Sequence, residues 1–390
     1  MVAQRCSRKK YEALKTGSTN PRMHLADVTM FYAESGGGVR RYIEAKRSWL
    51  RTAAACSHTL VVPKARAARP EAHTVALASV PLPFSQGYRV PLGRARAARE
   101  LIALAPTLIE AGDPYTLAWA ALDAGRDLGI PVVAFCHSDL PRLVGTHCGA
   151  RAERFASSYC RRLYTRFDLV LAPSRAMAAR LASWGVDGAC YQPLGVDLDV
   201  FHPDRRSDAL RQTLGVAPGT RLLVYAGRFA PEKNLDVLAD AMRLLGSRYV
   251  CLLVGAGTPP RGLPGNVRVL GYQRSRVELA ELIASCDLFV HPGDQETFGL
   301  AALEAMACGV PVVGADAAGI AELVPARAGV LVMPRDARAL AGGIETVFDG
   351  NRVDMAIAAR EAAQAYGWTA VLATLMTRYT QLTARSEAHA

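Results

Sequence analysis

The chain has 390 residues, 51% of them hydrophobic and 21% charged, which excludes a disordered protein and calls for more than one core, hence two domains of roughly 150 to 200 residues. Its nine cysteines are odd in number and contain no Cys-x-x-Cys pair, so neither a disulfide framework nor a zinc site is indicated and a reducing compartment is expected. The formal charge of +11 resides in residues 1–195, where 27 Lys+Arg face 14 Asp+Glu, and an anionic partner for that half is implied, either a membrane surface or nucleic acid.

Residues 1–22 carry six Lys or Arg and little apolar content, and read as a basic tail. Met23 directly precedes the first strand-like run and is a candidate start. No apolar run approaches ~18 residues and no signal-peptide pattern opens the chain, so neither a membrane span nor export is expected. From His24 onward short apolar runs alternate with helical segments. Strands are expected over 24–31, 59–63, 74–80, 107–110, 131–136 and 169–172, and a second series over 222–226, 250–254, 267–270, 288–291, 311–314 and 329–332. This alternation predicts parallel sheets covered on both faces, in two Rossmann-like halves joined near Pro193 to Pro203. Ligands of such sheets bind at the loops that follow the carboxyl ends of the strands.

Four motifs fall at such loops, and two basic stretches stand beside them. After the first strand comes Ser35-Gly36-Gly37-Gly38-Val39-Arg40-Arg41-Tyr42, whose glycines let backbone approach a ligand and whose helix start offers free N–H groups to a phosphate. It lacks both the Gly-Lys-Ser/Thr ending of a Walker loop and the Gly-x-Gly-x-x-Gly dinucleotide pattern. His137, in Phe135-Cys136-His137-Ser138-Asp139, can hydrogen-bond a sugar hydroxyl or act on protons; the plainer alternative is a satisfied strand-end imidazole. The segment from Arg151 to Arg166 is a basic helix with Phe155, Tyr159, Leu163 and Phe167 four apart, a stripe that fits a core-packing face better than a membrane-lying one. The stretch from Pro91 to Ala103, with Arg94, Arg96 and Arg99, has the same two readings.

In the second half, Gly227-Arg228 with Glu232-Lys233-Asn234 puts two cations close to a strand end, where they can surround a diphosphate; a solvated helix start is the alternative. Finally Cys286 to Pro292 reads as a buried strand stopped by Pro-Gly-Asp, followed by Glu296-Thr297-Phe298-Gly299-Leu300 and a helix that carries Glu304 and is capped by Gly309. A loop acid and a helix acid can thus converge on one polar ligand, although each alone also fits a dipole-favoured or solvated helix position.

The order of these motifs, together with Asp168 to Ser174, Pro193 to Pro203, and Tyr366-Gly367-Trp368-Thr369, resembles the retaining glycosyltransferases of family four, with the GT-B fold, over residues 23 to about 382. The resemblance implies two Rossmann-like domains facing across a cleft: a basic tail over 1–22, an acceptor domain over 23–197, a nucleotide-sugar domain over 198–365, and a C-terminal helix over 366–390 that packs back on the first domain. It further implies that Arg228 and Lys233 hold the donor diphosphate, that Glu304 bonds the ribose hydroxyls, and that Glu296 bonds the hydroxyls of the transferred sugar. Gly37 and Gly38 would face the diphosphate from the opposite domain, Phe298, Gly299 and Leu300 would belong to the donor pocket, and His137 matches the histidine beside the sugar. His137, Arg228, Lys233 and Glu296 are the candidate catalytic residues.

The resemblance implies no metal and no cofactor other than a UDP- or GDP-linked sugar donor; Arg228, Lys233 and helix N-termini would neutralise the leaving phosphate. The acceptor is less legible, because Arg40 and Arg41 stand where many relatives carry uncharged residues, fit either to meet an anionic acceptor or to neutralise neighbours. Nucleic acid is disfavoured as a partner, since only 7% of residues are aromatic and no nucleic-acid-binding signature occurs. A membrane lipid or lipid-linked glycan is the leading acceptor, with a cytoplasmic protein attached peripherally to the cytoplasmic membrane face through its basic half. The alternatives are a soluble sugar-phosphate or small-molecule acceptor and, outside enzymes, a nucleotide-sugar-binding protein without turnover.

Overall fold

A computed structural model describes residues 23–32, 37–53, 56–64, 72–82 and 88–389; the tail expected over 1–22, and Ser35 and Gly36 of the Gly-rich loop, lie outside these. The first half runs β1 (Met23–Val28), α1 (Gly38–Ala53), β2 (Cys56–Pro63), β3 (Thr74–Leu77), the antiparallel pair β4 and β5 (Ser79–Pro81 and Arg89–Pro91), α2 (Arg94–Leu104), β6 (Leu108–Ala111), α3 (Thr116–Leu128), β7 (Val132–Phe135), α4 (Leu140–Tyr164), β8 (Leu169–Ala172), α5 (Arg175–Ser183) and β9 (Cys190–Tyr191). The second runs α6 (Asp208–Thr213), β10 (Arg221–Ala226), α7 (Leu235–Leu245), β11 (Tyr249–Val254), β12 (Val267–Leu270), α8 (Arg276–Ala284), β13 (Leu288–His291), α9 (Leu300–Ala307), β14 (Val312–Ala315), α10 (Ala318–Leu323), β15 (Gly329–Val332), α11 (Ala337–Asp349), α12 (Arg352–Gln364) and α13 (Trp368–His389).

Two parallel sheets result, ordered β3-β2-β1-β6-β7-β8-β9 and β12-β11-β10-β13-β14-β15. Their central strands are buried along their whole length, as in Leu-Phe-Val-His of β13 and Val-Val-Ala-Phe of β7, because helices cover both faces. Every run expected as a strand overlaps one. The run over 74–80 breaks at Ala78 into β3 and β4, and β5 and β9 are too short, at three and two residues, for hydrophobic alternation to reveal them.

In each sheet the strand order reverses once, between β1 and β6 and between β10 and β13. Loops leaving the sheet at such a switch point diverge and open a crevice. The loops after β1, β6 and β7 therefore face those after β10 and β13. Cross-cleft hydrogen bonds join the halves: Thr297 Oγ1 donates to the His137 carbonyl at 2.9 Å, and Ser174 Oγ donates to the Thr297 carbonyl at 2.7 Å. Glu322 of α10 accepts the backbone N–H groups of Arg175 and Ala176 at the start of α5, at 2.7 and 3.1 Å, where a helix N-terminus favours a carboxylate.

The C-terminal helix returns to the first half. The chain crosses at Val196, which exchanges backbone hydrogen bonds with Tyr366 and Trp368 at 2.8 and 3.2 Å, and Tyr379 of α13 donates to Glu110 of β6. Among the described residues no helix is long and apolar enough to cross a membrane.

Candidate functional site

The cleft between the sheets has a volume of about 420 Å³, within the roughly 300–1,000 Å³ usual for small-molecule sites. From the first half it is lined by Gly37, Gly38, Arg41 and His137, and from the second by Arg228, Lys233, Glu296, Phe298 to Leu300 and Glu304. The candidate catalytic and donor-binding residues thus border one cavity, although they come from loops and helix starts of both sheets.

Lys233 is positioned by backbone chemistry. Pro231 to Lys233 form a short 3-10 turn, and Asn234 follows in the left-handed region at φ 48°, where its side chain donates to the Pro292 carbonyl at 3.2 Å and to Asp294 at 3.1 Å. Asn tolerates this conformation better than most residues. The turn is thereby fastened to the loop after β13, and Lys233 Nζ forms an ion pair with Glu296. His291 Nε2 lies 3.3 Å from the same carboxylate oxygen. Burial of Glu296 would raise its pKa, but the Lys233 cation and His291 prevail and hold the carboxyl well below the usual carboxylate range. It is therefore an ionised acceptor of hydrogen bonds throughout the neutral range. Arg228 reaches further toward solvent, with half its side chain exposed and one guanidinium nitrogen 3.2 Å from Glu232.

Glu304 sits on the fifth residue of α9, a helix that starts at Gly299 (φ 101°) and ends with Gly309 (φ 67°) donating to the Met306 carbonyl at 2.9 Å. Its side chain is only 4% exposed and one oxygen accepts from Arg41 of α1, across the cleft. Of the two readings that the sequence left for Arg41, neutralising a neighbour is the one observed. Gly38, one turn earlier on α1, lies so close to α9 that a Cβ there would be 2.8 Å from Leu300 Cδ1.

His137 follows β7 with its ring stacked on Phe135 at 4.2 Å and tilted against Tyr42 at 5.2 Å. Both ring nitrogens are buried without a hydrogen-bond partner among the described residues. Burial, reinforced by the Lys46 cation, pushes the imidazole down to about 3. A neutral imidazole has one donor and one acceptor nitrogen, a match for sugar hydroxyls and a poor proton reservoir at neutral pH.

Sequence reasoning missed part of the wall. Phe31, Tyr88 and Tyr115 also line the cleft, with Phe31 edge-on to Tyr88 at 5.2 Å and to Tyr115 at 5.7 Å. They arise from three separate loops, and no spacing could have joined them. Arg142 of α4 and Arg335 likewise meet on the buried carboxylate of Asp294, at 3.4 and 3.0 Å.

The basic helix of the first half is α4, kinked at Gly149 (φ 83°). Leu163 is fully buried, and Tyr159 and Phe167 pack against the core, as a core-facing stripe requires. Phe155 does not: it is 79% exposed, on the same face as the exposed Arg151, Arg154 and Arg162. In α2, Ala97, Ala98 and Leu101 are buried, and Arg94 makes a two-pronged contact with Asp123 at 2.5 Å.

Comparisons with known proteins agree with this geometry. A family model described as Glycosyltransferase Family 4 matches residues 36–200, and one described as Glycosyl transferases group 1 matches residues 206–365. The chain is 31% identical over 374 residues, 91% of its own length and 95% of the relative's, to a GDP-mannose-dependent alpha-(1-6)-phosphatidylinositol dimannoside mannosyltransferase from Mycobacterium tuberculosis. It is also 31% identical over 301 residues, 76% of this chain and 79% of the relative, to a GDP-mannose-dependent alpha-mannosyltransferase from the same species. Among solved structures, a sucrose-phosphate synthase from Thermosynechococcus elongatus superposes with a TM-score of 0.77 at 22% identity, over 93% of this chain and 100% of that one.

Proposed function

The chain belongs to glycosyltransferase family four, and from that premise we propose that it transfers mannose from GDP-mannose to a hydroxyl of a glycolipid, with retention of the anomeric configuration and without a metal ion. Mannose and guanosine are inferred from the two mycobacterial relatives, whose names specify GDP-mannose. The first candidate acceptor is phosphatidylinositol dimannoside, named for the relative that matches 91% of this chain.

The observation that carries the reading is the assembly of Arg228, Lys233, Glu296, Glu304 and His137 around one cleft. Lys233 and Arg228 supply the positive charge that a departing diphosphate requires. Glu304 takes the ribose and Glu296 the hydroxyls of the transferred sugar, while neutral His137 bonds the sugar from the opposite wall. The bond from the sugar's anomeric carbon to the β-phosphate oxygen breaks through an oxocarbenium-like state. The acceptor oxygen forms the new bond on the same face, and its proton passes to the departing phosphate oxygen. Glu296, held ionised and paired with Lys233, serves better as an electrostatic stabiliser of the developing cation than as an acid.

Peripheral attachment to an anionic membrane belongs to the same reading, in a cytoplasmic protein. It is supported by the exposed face of α4, where Arg151, Arg154 and Arg162 surround a projecting Phe155. The test is transfer from labelled GDP-mannose and UDP-glucose to phosphatidylinositol dimannoside and to inositol 3-phosphate, with and without EDTA. An α-linked mannolipid formed equally well in EDTA is expected. A β-linked product, or activity abolished by EDTA and restored by a divalent ion, would refute the proposed course of reaction.

A further inference from the structure

We infer that Arg41 is a positioning residue for the donor: it orients the Glu304 carboxylate toward the ribose and so ties donor binding to a contact between the two domains. The inference rests on the reading of Glu304 as the ribose acceptor and adds a residue that this reading does not contain.

Two helix starts face each other across the cleft. Gly38 and Arg41 are three apart on α1 and share a face, and Leu300 and Glu304 are four apart on α9 and share a face. The faces meet in two rungs. Gly38 touches Leu300, at a distance that admits no Cβ unless Leu300 moves, and Arg41 pairs with Glu304 one turn further along. Absence of a side chain at position 38 lets the two helices approach closely enough for the second rung to form. The guanidinium engages one carboxylate oxygen. The other, Oε2, is buried and has no hydrogen-bond partner among the described residues. A buried carboxylate oxygen calls for a donor, and a ribose hydroxyl in the cleft supplies one while Arg41 keeps the first oxygen.

Charge argues in the same direction. A nucleoside diphosphate brings negative charge into a cleft that already holds two carboxylates. Lys233 pairs with Glu296, and Arg41 pairs with Glu304, so that each acid has a cation of its own. Without Arg41, Glu304 would be a buried, unpaired anion near the incoming phosphates. A guanidinium stays charged and spreads its charge over a planar group, so it suits a buried carboxylate better than the strongly hydrated ammonium of lysine.

The decisive measurement compares GDP with 2′,3′-dideoxy-GDP by calorimetry on the wild-type enzyme and on Arg41→Ala, Arg41→Gln and Arg41→Lys, with UDP and its dideoxy form run alongside. Wild type is expected to prefer the ribonucleotide by about tenfold or more, the scale of a hydrogen bond to a charged group. In Arg41→Ala and Arg41→Gln the preference should shrink to about twofold through a weaker ribonucleotide complex, with Arg41→Lys in between. In turnover the KM for the sugar donor should rise more than kcat falls. If Arg41→Ala weakens both nucleotides equally and keeps the wild-type preference, Arg41 merely holds the domains together and the inference is overturned. If wild type itself does not distinguish the two, the ribose role of Glu304 fails first and the role of Arg41 falls with it.

Discussion

Lys233 and Glu296 illustrate how a single residue's environment decides its chemistry. Lys233 is a surface-type residue by composition, yet it is mostly enclosed and paired with Glu296, and the proposed mechanism gives it the leaving phosphate. Lys233→Ala is expected to lower transfer by about 10² or more with the fold intact. Steady-state rates beside a far-ultraviolet spectrum check this, and an unchanged rate would remove Lys233 from the mechanism. Arg228→Ala should follow it with a smaller loss, because its side chain is half exposed and already pairs with Glu232.

His137 makes a prediction with a sign. Its folded value is lowered from 6.5 to about 3, so between those pH values the unfolded chain binds a proton that the native site refuses. Stability therefore falls as pH drops from about 6.5 toward about 3, by up to about 1.4 kcal/mol for each unit. His137→Asn removes the group and should flatten the slope of unfolding free energy against pH in that window. A slope equal to that of wild type would mean that His137 titrates normally. The neutral state of this imidazole was not visible in sequence, since it depends on Phe135, Tyr42 and Lys46 closing around the ring.

At the scale of elements, the half of the cleft built by the second sheet follows from where strands end. Pro292 and Gly293 stop β13, Gly299 opens α9 and Gly309 closes it, so the spacing of Glu296 and Glu304 was legible before any coordinates. A tighter constraint sits at the ends of β10 and β11. A Cβ on Gly255 would lie 1.8 Å from the Gly227 carbonyl oxygen, and backbone cannot yield as a side chain can. Gly255→Ala should destabilise the protein by about 1–3 kcal/mol and also displace Arg228, which follows Gly227. Chemical denaturation measures the first effect and donor affinity the second. Wild-type values for both would mean that the two loops can separate without cost. The aromatic wall of Phe31, Tyr88 and Tyr115 had no such signature, because each side chain belongs to a different element and the three meet only when the loops after β1 and β6 converge with the segment preceding β5.

At the scale of the molecule, a buried ionic cluster fastens the C-terminal helix to the first sheet. Lys46 of α1, fully enclosed, donates to Asp27 of β1 at 2.7 Å and also to Glu110 of β6, which accepts from Tyr379 of α13 as well. Burial would raise the Asp27 carboxyl, but Lys46 and His58 prevail and bring it down to about 2. Lys46→Met removes the cation shared by two buried carboxylates, leaving Asp27 with His58 alone, and should cost about 3–5 kcal/mol. Denaturant titration of the full chain provides the measurement, and a loss below about 1 kcal/mol would show the cluster to be readily hydrated. The proposed membrane attachment also belongs to this scale, since it depends on the exposed surface. Flotation with vesicles containing anionic lipid should recover the wild-type protein, and recovery should fall for Phe155→Ser combined with Arg151→Glu and Arg154→Glu. Equal recovery with neutral vesicles would sink the electrostatic part of the proposal and leave the transferase intact.

By itself the sequence determined what depends on neighbours along the chain: the alternation of strand and helix, the strand ends that border the cleft, and the cations and acids carried there. Apolar runs and Gly or Pro stops act locally, so they can be read one segment at a time. The tertiary structure decided the pairings. That Arg41 answers Glu304, that Tyr379 answers Glu110, and that Phe155 escapes the core its stripe enters are matters of distance between elements far apart in sequence. Such contacts arise from the packing of one face against another, which no single segment encodes.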